Sequence, residues 1–483
     1  MGILDKIIQV DKYNNIGLLG MTDEFFCAYI NKMFNESKSS ILILTPTLYE
    51  ANKIYSSLEK YNDKTLLFPM DDFLTSESIA VSPELKSTRL DTLNELVSGS
   101  NYIVVSHLNS FLRFLPSKEI FKSKKVLLEK GKSYNRDKLI DDLISIGYKR
   151  ETIVTNTGEI GIRGFVLDIY PINYETPVRI GYFDPDTQKS ISEINNIEIS
   201  PNTEFLINGT MNDIETNQKY LEKLGSDITN IVGYMNSPIT VIKDFSQLKA
   251  SYKKLLEEIT DYKTLKDTTY KGNYMFSLED VLPHDVVYYN TIDNYFGDIA
   301  KSNIYDFAVQ KVPEFHENVD LINTYLEKEL LKKKTIVIYL KDYQVRAFTK
   351  YLTCKYVLTT DDDIYESNVN IVIKDVNEGF IYGNFIFLTP KELFSKKADV
   401  KYKSRYKYTS KIKSINNLEI GDYVVHALNG IGIYNGIKTL TQGSLKKDYI
   451  EILYAGNDKL YIPVEKIELI GKFTGKEGVA PKI

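Results

Sequence analysis

Glu419-Ile-Gly-Asp-Tyr-Val-Val-His426, Asn429-Gly-Ile-Gly-Ile-Tyr-Asn-Gly436, Asp448-Tyr-Ile-Glu-Ile-Leu-Tyr454 and Lys459-Leu-Tyr-Ile-Pro-Val464 are short alternating runs of β-branched and aromatic residues. Gly430, Gly432, Gly436, Gly456 and Asn457 punctuate them, which predicts a small, twisted barrel of antiparallel strands. A barrel of about 65 residues has no room for a buried catalytic pocket. His426 is its one side chain that titrates near neutrality. The segment is therefore expected to present a strand edge or loop to another macromolecule.

Outward from it, 483 residues are too many for one core and predict three or more domains. A net charge of -5 and a pI near 5.7 argue against a surface adapted as a whole to nucleic acid and favour protein partners. Cys27 and Cys354 are the only cysteines, which excludes a disulfide framework and a cysteine-based metal site and fits a reducing cytoplasm. No run approaches the roughly 20 apolar residues of a membrane span.

Residues 1–120 alternate strand and helix, the signature of a parallel sheet. Ile41-Leu-Ile-Leu-Thr-Pro46, Thr65 to Pro69 and Tyr102 to Ser106 read as strands, and Leu48 to Tyr61 as a helix with Ala51, Ile54, Tyr55 and Leu58 on one face. The turn Ile16-Gly-Leu-Leu-Gly-Met-Thr-Asp-Glu24 stands where a nucleotide-binding sheet carries its phosphate loop. Gly17, Gly20, Thr22 and Asp23 would be that loop, but it lacks the Gly-Lys-Ser/Thr ending that holds phosphate and magnesium. Asp23 and Glu24 instead set two carboxylates where the phosphates would sit, so no nucleotide is expected to bind.

From Val126 to Pro201 a helix over Asp137 to Gly147 precedes strands over Arg150 to Val154, Gly164 to Tyr170 and Val178 to Phe183. Residues 202–300 return to the first module, with a strand over Pro238 to Asp244 that ends in a lone acid where an active helicase fold has two, and a helix from Phe245 to Tyr262. Residues 301–398 form another α/β unit, in which Asp361-Asp-Asp363 reads as a loop and not a metal cage. In residues 399–417, Lys401, Lys403, Arg405, Lys407, Lys411 and Lys413 interleave with Tyr402, Tyr406, Tyr408 and Ile412. A charged tether is the simpler reading there, nucleic-acid contact the other.

The closing segment, Leu418 to Lys482 with Leu469-Ile-Gly-Lys-Phe473, resembles the RNA-polymerase-interacting domain of the bacterial transcription-repair coupling factors, the Mfd family, a Tudor-like barrel shared with CarD regulators. Phe68-Pro69, Ser82-Pro-Glu-Leu85, Arg89, Leu90 and Pro116 resemble that family's UvrB-like module. Gly158-Glu-Ile-Gly-Ile-Arg-Gly164, Leu167 to Pro171, Pro177-Val-Arg179 and Gly181-Tyr-Phe-Asp184 resemble the domain that UvrB and this family use to dock UvrA. Gly383 to Phe394 resembles the end of the family's third domain.

The resemblance implies a multidomain α/β and α+β chain. A degenerate helicase-like parallel sheet (1–120 and 202–300) would carry an inserted UvrA-binding domain (121–201), followed by a third domain (301–398), a basic linker (399–417) and an all-β barrel (418–483). It implies that Arg163, Arg179 and Phe183 contact UvrA, two guanidinium forks around one aromatic. Leu440, beside Lys438 and Thr439, would contact the RNA polymerase β subunit. Alternation alone would make Leu440 a core residue, whereas the family match makes it an anchor. The family's barrel is followed by an ATP-dependent DNA translocase motor, for which neither a Gly-Lys-Thr loop nor an acidic pair at a strand end occurs here.

The expected protein is thus a bacterial, cytoplasmic, monomeric adaptor for transcription-coupled nucleotide excision repair. It would do no chemistry and bind no cofactor, ATP and magnesium belonging to the motor, and would touch DNA indirectly at most. It would be a truncated product or a natural motorless variant. The competing readings are a UvrB-type ATP-dependent helicase component and a CarD-like transcription regulator.

Overall fold

The computed structural model describes residues 2–10, 12–70, 83–164, 166–174, 176–181, 194–206, 225, 227–265, 269–291, 295–296, 299–394, 409–411, 421–426, 430–442, 445–454, 459–463 and 470–473. It divides into two compact units, Met1–Val400 and Lys401–Ile483.

In the first unit, Ile41–Thr45 and Ile103–His107 are buried at every position, as continuous apolar runs must be when helices cover both faces of a parallel sheet. They belong to a seven-stranded sheet in the order Ile304–Asp306, Ile16–Leu19, Val286–Tyr289, Ile239–Lys243, Ile41–Thr45, Ile103–His107, Thr65–Phe68, with every pairing parallel. The helix Leu48–Tyr61 starts where Thr47 accepts a hydrogen bond from the Glu50 amide at 3.3 Å, and it buries Ala51, Ile54 and Leu58. The strand before residue 244 spans Ile239–Lys243, and the helix after it runs from Phe245 to Leu265.

Between these strands the chain builds a four-stranded sheet in the order Val178–Gly181, Val166–Ile169, Glu159–Arg163, Lys149–Arg150. The strand expected over Arg150 to Val154 is only Lys149–Arg150, and a loop follows it. That loop closes locally because the Thr155 and Asn156 amides both donate to the Glu159 carboxylate at 2.8 Å. Ile160, Leu167 and Ile169 join one apolar cluster with Leu42, Val104 and Ile242 of the large sheet. The same region is pinned by a buried ion triad in which Arg89 and Arg113 each bond one oxygen of Glu204, the second at 2.5 Å. Burial opposes the charge on Glu204, but the two guanidinium groups bring its carboxyl down to about 2.

A second mainly parallel sheet runs Gln310–Lys311, Phe380–Tyr382, Phe385–Leu388, Thr335–Leu340, Val369–Ile373, Tyr356–Thr359, with antiparallel pairing confined to the first three strands. It shares a core with the first sheet: Phe25 and Phe26 of the helix Asp23–Ser37 lie in one cluster with Val337, Tyr339, Phe380 and Phe387. Asp361 and Asp362 lie in a turn, where Asp361 accepts from Tyr339 at 2.8 Å and pairs with Lys374 at 2.7 Å.

The second unit is a six-stranded antiparallel sheet in the order Thr409–Lys411, Ile470–Phe473, Tyr423–His426, Gly430–Gln442, Leu445–Leu453, Lys459–Pro463. Val424, Tyr434, Ile450, Ile452 and Ile462 form its core. The tether read over 399–417 therefore needs correction at Thr409–Lys411, which is an edge strand paired with Ile470–Phe473. Lys401, Lys403, Arg405, Lys407 and Lys413 lie outside the described residues.

Candidate functional site

Ligands of open α/β sheets bind beyond the carboxyl ends of the strands, so the turn after Ile16–Leu19 is the first place to look. Gly17 and Gly20 are placed by packing. A Cβ at 17 would stand 2.6 Å from the Phe296 ring, and one at 20, where φ is +67°, would meet the Asp306 carboxylate and the Ala308 amide. Thr22 caps the helix, its hydroxyl accepting from the Phe25 amide at 3.3 Å.

The two acids that follow part company. Asp23 stays at the strand ends, 2.5 Å from the Lys53 ammonium, 3.0 Å from the Tyr289 hydroxyl and 3.8 Å from Lys243. Glu24 is 1% exposed and turns into the helix layer, where Ser57 and Tyr61 donate to it at 2.9 Å each. The reading that set both carboxylates at the phosphate position is thus corrected for Glu24. Successive helical residues point about 100° apart, which sends only one of the pair to the crevice.

Two strands from Ile16–Leu19, across Val286–Tyr289, Lys243 ends the strand Ile239–Lys243 and is buried against Glu50 at 3.1 Å and Asp244 at 2.9 Å. Asp244, at φ +48°, also accepts from the Thr291 amide at 2.6 Å. Burial works against the charges on Lys243 and Asp23. Their mutual attraction, helped by the other acids and by Lys53, nonetheless raises the lysine above its ordinary value and lowers the aspartate below its own. The strand ends thus hold an internal salt network, in which a triphosphate would meet Asp23 and a lysine already paired with three carboxylates.

The small inserted sheet presents a second candidate. Its register aligns Gly161, Asp168 and Arg179 in one row and Arg163, Val166 and Gly181 in the next, all on one face. The opposite face carries Ile160, Ile162, Leu167, Ile169, Val178 and Ile180 into or against the core. Arg163 and Arg179 are therefore brought to one exposed surface. Arg179 forms a two-point bond with Asp168, at 2.6 and 2.9 Å, which lifts its already high pKa further. Arg163 reaches the Thr152 carbonyl at 3.4 Å. Phe183 lies outside the described residues.

The third candidate is the ribbon formed by Gly430–Gln442 and Leu445–Leu453. Pairing slips between Tyr434 and Ile437, so that Asn435 and Gly436 together oppose Glu451, and Gly436 adopts φ +95°. Glu451 is 1% exposed and accepts from Asn435, from Lys459 at 3.2 Å and from Tyr461 at 2.8 Å. Tyr423–His426 pairs with this strand only through Ile433, so among the described residues 437–442 has one neighbouring strand. Lys438 is exposed there. The backbone at Thr439 and Leu440 is described, with Leu440 opposite Lys447, but their side chains lie outside the described residues.

Reasoning from the sequence missed Asp168 as the partner of Arg179, Lys243 as the centre of the strand-end network, and the Glu204 triad. Only Asp168 had a usable signal, lying on a strand whose alternation puts it on the arginines' face. The tripeptide Gly131-Lys132-Ser133 was also passed over. It follows Val126–Glu129, a strand paired antiparallel with Asn196–Ile199, and Lys132 bonds Glu129 at 2.7 Å across an exposed turn, which is no phosphate loop. Among the described residues no group of three or more His, Cys, Asp or Glu is placed to hold a metal ion, and no helix is long and apolar enough to cross a membrane.

Comparison with known proteins places names beside two of these surfaces. Residues 126–205 match the UvrB interaction domain, and residues 418–474 match the CarD-like/TRCF RID domain. The chain is similar to the transcription-repair-coupling factor of Bacillus subtilis, with 27% identity over 96% of this chain and 46% of that protein. It is similar to that of Staphylococcus epidermidis at 25% identity over 99% of this chain and 47% of that protein, and to that of Staphylococcus haemolyticus at 25% over 100% and 48%. Across nearly its whole length, the chain is a homologue of transcription-repair-coupling factors. It spans about half the length of the curated relatives it matches.

Proposed function

We propose that this chain is a docking scaffold of transcription-coupled DNA repair, holding RNA polymerase through its antiparallel C-terminal unit and UvrA through the inserted four-stranded sheet. The large sheet would be a UvrB-like module that has lost its nucleotide site, and the C-terminal unit a CarD-like barrel. The observation that carries this reading is the exposed face bearing Arg163 and Arg179, which lies within the stretch that matches the UvrB interaction domain. Its other face is committed to the core, and among the described residues Arg163 and Arg179 are exposed on this one. Two guanidinium groups over a fixed sheet suit a partner surface rich in carboxylates.

For the polymerase, the support is the ribbon beyond the bulge, within the matched 418–474. Among the described residues it has one unpaired strand edge, which is what β-augmentation uses. Position 440 falls on the strand face of the exposed Lys438. Catalysis by this chain is not part of the proposal, since the strand-end network offers phosphate a carboxylate and no unshared lysine.

Binding of the full chain to purified UvrA and to RNA polymerase core enzyme tests both halves. Arg163→Ala is expected to weaken UvrA binding by about 1.5–3 kcal/mol, the range for charge-assisted hydrogen bonds, and to leave polymerase binding unchanged. Leu440→Arg is expected to do the reverse, with the circular dichroism spectrum preserved in both. A wild-type chain that binds neither partner would sink the proposal.

A further inference from the structure

The loop that replaces the expected strand after Arg150 has a consequence for the arginine face. It crosses that face at Gly161, where a Cβ would stand 3.0 Å from Val154 Cγ2 and 3.5 Å from the Glu151 carbonyl. A side chain at 161 would press on Val154, and Gly161 is buried beneath the loop although it belongs to the polar row. The loop is tied at both ends and in the middle. The Glu151 amide donates to the Ile160 carbonyl at 2.8 Å, Thr155 and Asn156 donate to Glu159, and Arg163 reaches back to Thr152. Val154 turns down onto the sheet, and its neighbour Ile153 is left 45% exposed.

A single exposed isoleucine is ordinary on a protein surface. This one is held on a fixed loop whose backbone is bonded to Arg163, on the face that also carries the Arg179–Asp168 pair. We infer that Ile153 is the apolar anchor of this docking face, and that the partner presents a pocket of isoleucine size rimmed by carboxylates. The inference rests on the reading of the face as a UvrA contact. A β-branched side chain has little rotamer freedom to lose on binding, and its loop is already ordered, so burying it would add affinity at small entropic cost. Arginines around a desolvated apolar anchor are the arrangement in which a few residues dominate an interface. Asp168 then acts as a positioning residue that holds the Arg179 fork by its two-point bond.

The test is affinity of the full-length chain for purified UvrA, measured by biolayer interferometry for wild type, Ile153→Ala, Ile153→Asp and Arg163→Ala, with thermal melts alongside. Ile153→Ala should weaken binding about tenfold and Ile153→Asp beyond detection, with melting temperatures unchanged because the side chain touches solvent. Hydrogen exchange should also show residues 151–156 protected on adding UvrA, a readout that stands if Ile153→Asp disturbs the fold. If wild type binds, Arg163→Ala weakens it, and both Ile153 variants bind within about twofold of wild type, Ile153 is no anchor and this inference falls while the docking reading stands. If wild type does not bind UvrA, the docking reading fails first and takes the anchor with it.

Discussion

Glu24 sits in the layer between the two parallel sheets, bonded to Ser57 and Tyr61, and burial pushes its carboxyl up to about 7 in spite of those bonds. Lys60, whose charge acts the other way on Glu24, is engaged with Asp375 at 2.7 Å. The sign of the effect on stability follows from linkage. Below the ordinary value of 4.5 both folded and unfolded chains hold the proton. Between there and about 7 the unfolded chain ionises first, so the folded state loses stability as pH rises, by about 3 kcal/mol in all, and the loss stays constant above. Glu24→Gln is therefore expected to match wild type near pH 4 and to be more stable by up to about 3 kcal/mol at pH 8, measured by urea unfolding at both pH values. A difference that does not change with pH would show that Glu24 holds no displaced proton. That the turn carries acid in place of Lys-Thr was legible in the sequence. Which acid faces the crevice was not, because that depends on the angle at which the helix leaves its cap.

Strand alternation shows both the reach and the limit of a local pattern. Counted from the buried Tyr434, even positions face the core, and the same count would put Leu440 there. The bulge at Asn435–Gly436 shifts the phase, so Ile437 comes opposite the buried Ile450 and position 440 falls on the other strand face with Lys438. The glycine at φ +95° makes this possible. Gly436→Ala should destabilise the C-terminal unit by about 1–3 kcal/mol, the usual cost of a side chain in a sparsely allowed backbone region, and weaken polymerase binding along with it. Melting followed by circular dichroism and a polymerase pull-down check this, and an unchanged melt with unchanged binding would deny the bulge its part. The strand Arg150 to Val154 failed for a related reason. Its residues have strand propensity, but Gly161 and Glu159 draw them into a loop across the sheet, contacts that no local window contains.

Over the whole molecule, the division into Met1–Val400 and Lys401–Ile483 separates the two proposed docking surfaces. A chain ending at residue 400 is therefore expected to keep UvrA affinity within about twofold of the full chain and to lose polymerase binding. Calorimetric titration of either form with magnesium-ATP should show no saturable heat. Micromolar binding would overturn the reading of the strand-end network and bring back the helicase alternative. By itself the sequence determined the mixture of a large parallel sheet with a small antiparallel one, because fully apolar runs and two-residue alternation are properties of single strands. It also supplied the motifs by which a relationship to transcription-repair-coupling factors could be read. Only the tertiary structure decided that Lys243 fills the strand ends and that Arg89, Arg113 and Glu204 meet in the interior. The cause is physical: a charge far from water must find its counter-charge wherever the packed chain brings one, and that distance along the sequence leaves no periodic trace.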